Sequence, residues 1–412
     1  MAGPPVIDAG RVIADLRELQ RRTADERGAQ RLCWSDGWRR ARAFLADLLG
    51  ELGLEHEVDE AGNAWAYLPG THEPGPALGS HLDSVPDGGW LDGALGVMGA
   101  LGVLRAWAGS GETPPSTLAL VDWADEEGAR FGRSLFGSSC AAGTFDPAEL
   151  ATARDAEGHR APGVLAENGV DLKCVLDCRT RLERIDAYLE LHIEQGPVLE
   201  AEGIRAAAVS GCVGVERRRL RFRGRVSHAG TTPMGARHDA GLAAAATALR
   251  VEEIARSEGG VGTVGLVELD PGIATAVPGE ASMLVDLRHS DAGALARMLE
   301  EVRRAAGDGA GERGCEVEEE PVWAIEPIAF DEQLVGLARQ ACERATGTAY
   351  ELDSGALHDA ASMAVKVPTA MIFSPSIGGV SHSPEEDTAD QDLAAAIEAF
   401  GALANSRIAT AS

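Results

Sequence analysis

The sequence is short of positive charge. Across 412 residues, 37 lysines and arginines face 65 acidic side chains, a formal net charge of −28. A surface that acidic repels phosphate backbones and anionic lipid, so neither nucleic acid nor a membrane is expected as a partner. Lysine is nearly missing, with only Lys173 and Lys366, which reads as compositional bias rather than function. The N-terminus has no basic segment followed by an apolar one, so no signal peptide is expected and the chain is placed in the cytoplasm. The longest charge-free helical stretch, Gly93 to Leu104, is too short to span a bilayer. Seven cysteines are scattered, and Cys174 and Cys178 form the one close pair; with no second pair they are expected to be ordinary reduced thiols. No P-loop and no G-x-S-x-G elbow occurs, which argues against an NTPase or a serine hydrolase. Gly309-Ala-Gly311-Glu-Arg-Gly314 matches G-x-G-x-x-G, but it follows a helix and precedes a strand, the reverse of a dinucleotide site. Internal repeats are not evident.

What is present describes an ordinary globular protein, 45% hydrophobic and 25% charged. At roughly 150 residues per domain, the length suits two or three folding units with ample core. The first 55 residues read as helices, with Val12, Leu16 and Leu19, then Trp38, Ala41, Leu45 and Leu48, at helical spacing. Strands at Ala64–Leu68, Ala77–His81, Thr117–Trp123 and Ala187–Ile193 then alternate with helices such as Leu95–Ala106, the pattern of an α/β layer with a largely parallel sheet. Gly93, Gly96, Gly99 and Gly102, three apart, mark a helix face packed closely on that sheet.

Near residue 210 the texture changes. Glu216–Val226 alternates charged and apolar residues, Ala240–Ala255 is a helix, Gly262–Leu269 and Ala281–Leu287 are strands, and Asp291 caps a helix to Ala306. After Pro327 the α/β texture returns, with a strand at Thr369–Phe373 and a closing helix from Asp390. The expected organisation is therefore a large domain from residues 1–210 and 327–412, interrupted by a smaller one at 211–326.

The informative residues sit where the strands end. His81 and Asp83 close one strand and Asp92 opens the next helix; Asp125, Glu126 and Glu127 follow Thr117–Trp123; His192 and Glu194 close another; His382 follows Thr369–Phe373. Ligands of open α/β sheets bind beyond the carboxyl ends of the strands. One such histidine is more often a surface or core residue, and an acidic triplet is usually a solvated loop. Four strand ends delivering imidazoles and carboxylates to one place form a chemically coherent site for zinc or a similar divalent metal.

The words around these residues resemble the hydantoinase/carbamoylase branch of the M20 metallopeptidase family. They are HLDSVPDGGWLDG, DEEGARFG, LHIEQGPVLE, GRVSHAGTTPMGARHDA, VPGEASMLVDLR, SGALHDA and GGVSHSPEE, in order along the chain. That branch includes N-carbamoyl-L-amino-acid hydrolases, β-ureidopropionases and allantoate amidohydrolases. The resemblance implies a large catalytic α/β domain with a mixed, mainly parallel sheet, and an inserted α+β, ferredoxin-like domain serving as dimerisation surface and lid. It implies two divalent ions (Zn, Mn or Co) per subunit, with His81, His192, Glu127 and His382 as terminal ligands, Asp92 bridging, and a cis peptide at Asp92-Gly93. Asp83 would take a hydrogen bond from His81, Glu126 would be the general base, and His228 would steady the oxyanion from a neighbouring subunit of a homodimer. Gln195, Arg288, Thr275 and His358 would stand on the substrate side.

Two positions depart from the family pattern. Thr275 replaces an asparagine three residues before Pro278, and Leu357 replaces a glycine before His358. An amide offers two donors and an acceptor that a threonine hydroxyl cannot reproduce, so both changes bear on substrate rather than on metal. The expected activity is hydrolysis of the N-carbamoyl group of an amino acid or related ureido acid, to amino acid, ammonia and carbon dioxide. Allantoate or ureidopropionate hydrolysis, an M20 aminoacylase or peptidase, and a non-enzymatic binder of carboxylate ligands are the alternatives.

Overall fold

A computed structural model describes residues 4–410. The chain divides into two compact units, Met1–Gly211 with Ala329–Ser412, and Cys212–Ile328.

The first unit is built on a nine-stranded sheet. Its order runs Ile328–Ala329, Ala207–Cys212, Thr369–Ser374, Ile185–Ile193, Gly75–His81, Leu118–Trp123, Ala64–Leu68, His56–Val58, with Glu351–Ser354 also paired to Ala207–Cys212. The four central strands, from Thr369–Ser374 to Leu118–Trp123, are mutually parallel. Every residue of Gly75–His81, Leu118–Trp123 and Thr369–Ser374 is buried, which explains why they read as mostly apolar runs rather than alternating ones. The flanking pairs, Ala207–Cys212 on Thr369–Ser374, Ala64–Leu68 on Leu118–Trp123 and His56–Val58 on Ala64–Leu68, are antiparallel. The sheet is thus mixed and mainly parallel at its centre.

Helices Ala9–Thr23, Asp36–Glu51, Ala94–Ser110, Glu332–Thr346 and Asp390–Thr410 supply the rest of the main core. Asp8, Ser35 and Asp331 begin three of them by accepting the N–H of the residue three positions on. Val12, Leu16, Leu19, Trp38, Ala41, Leu45 and Leu48 are all buried, as their spacing requires. Ala94–Ser110 is apolar nearly all round and lies inside the unit. Its glycines serve two neighbours: a Cβ at Gly96 would meet the Leu191 carbonyl at 2.5 Å, and one at Gly102 would meet Val12 at 2.6 Å. Only part of that glycine face therefore packs on the sheet. Among the described residues, no helix is long and apolar enough to cross a membrane.

The second unit follows a βαββαβ order: Gly214–Arg223, Ala240–Glu258, Val261–Asp270, Glu280–His289, Ala292–Gly311 and Glu316–Ile325. Its four long strands form an antiparallel sheet in the order Val261–Asp270, Glu280–His289, Gly214–Arg223, Glu316–Ile325. This is the ferredoxin-like arrangement. Leu220, Phe222, Met283, Val285 and Leu287 pack with the two helices. On the alternate positions Arg217 pairs with Asp286, Arg221 with Glu320 and Arg223 with Glu318 across neighbouring strands. Gly309–Gly314 spans the end of a helix and the turn into a strand, so it cannot cradle a pyrophosphate.

Candidate metal centre

The four central strands are parallel, so their carboxyl ends lie along one rim, and that rim carries the titratable residues. His81 ends Gly75–His81, and its Nδ1 lies 3.0 Å from the backbone carbonyl of Asp83. His192, at the end of Ile185–Ile193, places Nδ1 2.9 Å from the carbonyl of Ile193. A carbonyl can only accept, so both rings keep a proton on Nδ1 and turn Nε2 toward the site. The Asp83 carboxylate, 3.7 Å from His81 Nδ1, is not the closer partner. It accepts the N–H groups of Glu126 and Glu127 at 3.2 and 3.3 Å and so anchors the acidic turn, because two aligned backbone donors hold it there.

Asp92 is buried between the histidines. Its Oδ1 stands 3.2 Å from His192 Nε2 and 3.7 Å from His81 Nε2, while its Oδ2 is 3.2 Å from His382 Nε2. His382 Nε2 is in turn 3.4 Å from Glu127 Oε2. Two donor trios result, His81–Asp92–His192 and Asp92–Glu127–His382, with all donor atoms of each within 4.8 Å of one another. Ligands about 2.1 Å from a tetrahedral ion stand roughly 3.4 Å apart, so these spacings suit imidazole and carboxylate coordination. The buried Glu127 Oε1 has no hydrogen-bond partner, as expected of an atom facing a site for a cation. These residues thus fit a pair of divalent ions, with His81 and His192 on one side of Asp92 and Glu127 and His382 on the other.

The Asp92-Gly93 peptide is trans, contrary to expectation; the cis bonds among the described residues precede Pro74 and Pro271. The chain turns here through the positive φ of Gly93, 63°, which a residue without Cβ accepts freely. A Cβ at that position would come within 2.3 Å of the His81 ring.

The electrostatics match a cluster prepared for cations. Burial, reinforced by the charge of Asp92, raises the Glu127 carboxyl to about 8. Glu126 is pushed well above its usual range by burial and by Asp359 and Glu127. The hydrogen bond to Asp92 lifts His382 to about 9. For His192 burial acts downward, but its hydrogen bond and attraction to Asp92 prevail and bring it to about 9. Burial pulls His81 down to about 4. So many buried carboxyls are costly unless positive charge offsets them. Arg31, fully buried, supplies some of that charge, its Nε donating to the Leu82 carbonyl at 2.8 Å.

Glu126 is buried beside the first trio, its Oε2 3.6 Å from His81 Nε2. The turn that aims it begins at Asp125, which has a positive φ of 56° and accepts from the Trp34 indole at 3.1 Å. Gln195 also reaches the centre: its Nε2 donates to Asp92 Oδ2 at 2.8 Å and lies 3.4 Å from His382 Nε2. His358 is buried, its Nε2 3.0 Å from the Ser354 hydroxyl and its ring 4.4 Å from that of His192.

His228, Thr275 and Arg288 belong to the second unit. Strands Ser227–His228 and Ala276–Val277 pair, and the Thr275 carbonyl accepts the Ala229 N–H at 2.9 Å, which brings the His228 and Thr275 loops together. Both residues are exposed. His228 Nδ1 accepts the N–H groups of Gly230 and Thr231 at 3.1 and 3.2 Å, so its proton resides on Nε2. Arg288 is oriented by Asp286, whose Oδ1 accepts from its Nε at 2.8 Å. Sequence reasoning missed Arg31, Ser381 and Glu386. The last two lie inside the GGVSHSPEE word, flanking His382, whereas Arg31 belongs to no motif.

Residues 77–406 match peptidase family M20/M25/M40. The N-carbamoyl-L-amino acid amidohydrolase of Geobacillus stearothermophilus is 35% identical over 374 residues, 90% of this chain and 91% of that protein. The allantoate amidohydrolase of Escherichia coli is 35% identical over 384 residues, covering 91% and 92%. The crystal structure of a hydantoinase/carbamoylase family amidase from Burkholderia multivorans superposes with a TM-score of 0.89 at 31% identity, over 98% of this chain and 99% of that one.

Proposed function

The chain belongs to peptidase family M20/M25/M40 as an amidohydrolase, and from that premise we propose that it cleaves the ureido group of an N-carbamoyl-L-amino acid or a related ureido acid. Water is consumed, and amino acid, ammonia and carbon dioxide are released. The observation that carries this reading is the pair of donor trios sharing Asp92, with Glu126 3.6 Å from His81.

Two divalent ions held by these trios would polarise the ureido carbonyl and make a bound water acidic. Glu126, buried 3.6 Å from His81 Nε2, takes the proton of the attacking water and returns it to the departing nitrogen. Asp92 keeps both sides of the site at a fixed spacing, and the carbonyls of Asp83 and Ile193 hold the two imidazoles in the ligating tautomer. His228, with its proton on Nε2, is a ready donor to an oxyanion, and we assign it to the site of the partner subunit in a homodimer. Arg288 offers a planar fork to the substrate carboxylate, with Gln195 and Thr275 as further contacts.

The equal identity to an allantoate amidohydrolase makes allantoate the second candidate substrate. The test is ammonia release from a panel of N-carbamoyl-L-amino acids, ureidopropionate and allantoate, beside N-acetyl amino acids. Ammonia from any ureido acid supports the proposal and identifies the substrate. Amine release from the N-acyl compounds alone would make the protein an aminoacylase, and no turnover of any would leave a binder of carboxylates.

A further inference from the structure

We propose that Glu386, which belongs to neither donor trio, is a positioning residue that locks bridging Asp92 and the His382 loop into one unit; this rests on the metal-binding reading above. Glu386 is 1% exposed. Its Oε1 accepts the backbone N–H groups of both Leu91 and Asp92, each at 3.0 Å. Its Oε2 accepts from the Ser381 hydroxyl at 2.9 Å, and Ser381 directly precedes His382. One carboxylate therefore spans from the backbone of the shared ligand to the neighbour of a terminal one. The main chain is shaped around it, since a Cβ at Gly89 would stand 2.0 Å from its carboxyl carbon. Fully buried Arg31 braces the same stretch of chain, its Nη2 donating to the Gly89 carbonyl at 3.4 Å.

The Ser381 hydroxyl explains why a carboxylate is needed. It lies 3.1 Å from Asp92 Oδ2 as well as 2.9 Å from Glu386 Oε2, and a hydroxyl has one hydrogen to give. With Glu386 available to take it, Asp92 Oδ2, which already accepts from Gln195, keeps its other lone pair free for a cation. Without Glu386 the hydroxyl is left to Asp92, and two buried N–H groups lose their acceptor.

The test is titration of the metal-stripped full-length protein with Co2+, following affinity by competition with a chromophoric chelator and ligand geometry by the visible absorption bands. Glu386→Ala should bind on the order of tenfold to a hundredfold more weakly and shift the bands, as loss of a ligand-orienting group does. Glu386→Gln, which keeps a carbonyl oxygen for the Leu91 and Asp92 N–H groups but sets an amide donor opposite Ser381, should recover only part of the affinity. Glu386→Asp, one methylene too short to span both contacts, should behave like alanine, and it carries the test if the alanine variant does not fold. Wild-type affinity and spectrum in the aspartate or alanine variant overturns the inference, as does a glutamine variant no better than alanine. If the unmutated protein takes up no Co2+, the metal reading itself fails. Uptake by the unmutated protein with indifferent variants sinks the inference alone.

Discussion

Filling the centre should expel protons, and the structure says how many and from where. In the metal-free protein His192 and His382 sit at about 9 and Glu127 at about 8, so at pH 7 all three hold a proton. His81, pulled down to about 4, is already neutral, and Asp92, held far below its usual range by the surrounding imidazoles against the pull of burial, is already ionised. The His81–Asp92–His192 trio should then lose about one proton on binding, and the Asp92–Glu127–His382 trio about two. The sign follows: protons compete with metal at raised groups, so affinity climbs as pH rises and levels off above about 9. The slope should be roughly tenfold per pH unit for each proton displaced. Calorimetric titration with Co2+ in buffers of differing ionisation enthalpy, from about pH 6.5 to 8.5, counts the protons directly. A binding heat independent of buffer and an affinity flat over that range would refute the protonated, metal-ready cluster.

Glu126→Gln should retain metal yet lose on the order of a hundred- to ten-thousandfold in turnover, as removal of a general base does, whereas Glu127→Gln should lose metal. Metal analysis beside kcat separates the two, and equal behaviour would cancel the role assignment. Gly93→Ala should weaken metal binding at His81, because its Cβ falls 2.3 Å from that ring and the backbone there, φ 63° and ψ −45°, lies outside the wells open to alanine; equilibrium dialysis reads the loss. Coexpressed Glu126→Ala and His228→Ala chains should regain partial activity, since one site of each mixed dimer inherits neither lesion. Verified mixed dimers that remain inactive would place His228 outside the partner's site.

The fold was legible where burial is uniform. The buried run Leu118–Trp123 and the helix Ala94–Ser110, charge-free as far as Leu104, announce themselves by composition, and parallel central strands follow from their alternation with helices. Once the strands were placed, the rim at their carboxyl ends gathered His81, Asp92, the triplet Asp125, Glu126 and Glu127, His192 and His382, and the family resemblance singled out Glu127 from that triplet. Pairing within that rim was not legible. Which imidazole faces which oxygen of Asp92 depends on side-chain direction, which spacing along the chain does not encode. For His81 a backbone carbonyl, present at every residue and so invisible as a motif, takes the place expected for the Asp83 carboxylate. His358 sits in a word that suggests substrate, and its Nε2 lies beside the Ser354 hydroxyl in the interior. Arg31 and Glu386 escaped notice for a related reason: charged residues are ordinarily solvated, and only the fold shows these two fully enclosed.

The central claim is that one carboxylate, Asp92, is shared by two metal ions. Anomalous diffraction from crystals grown with Zn2+ or Co2+ tests it most directly. The account predicts two peaks, one between Asp92 Oδ1 and the Nε2 atoms of His81 and His192, the other between Asp92 Oδ2, Glu127 and His382. A peak among Glu190, His192 and His358 instead, or no peak on either side of Asp92, would contradict it.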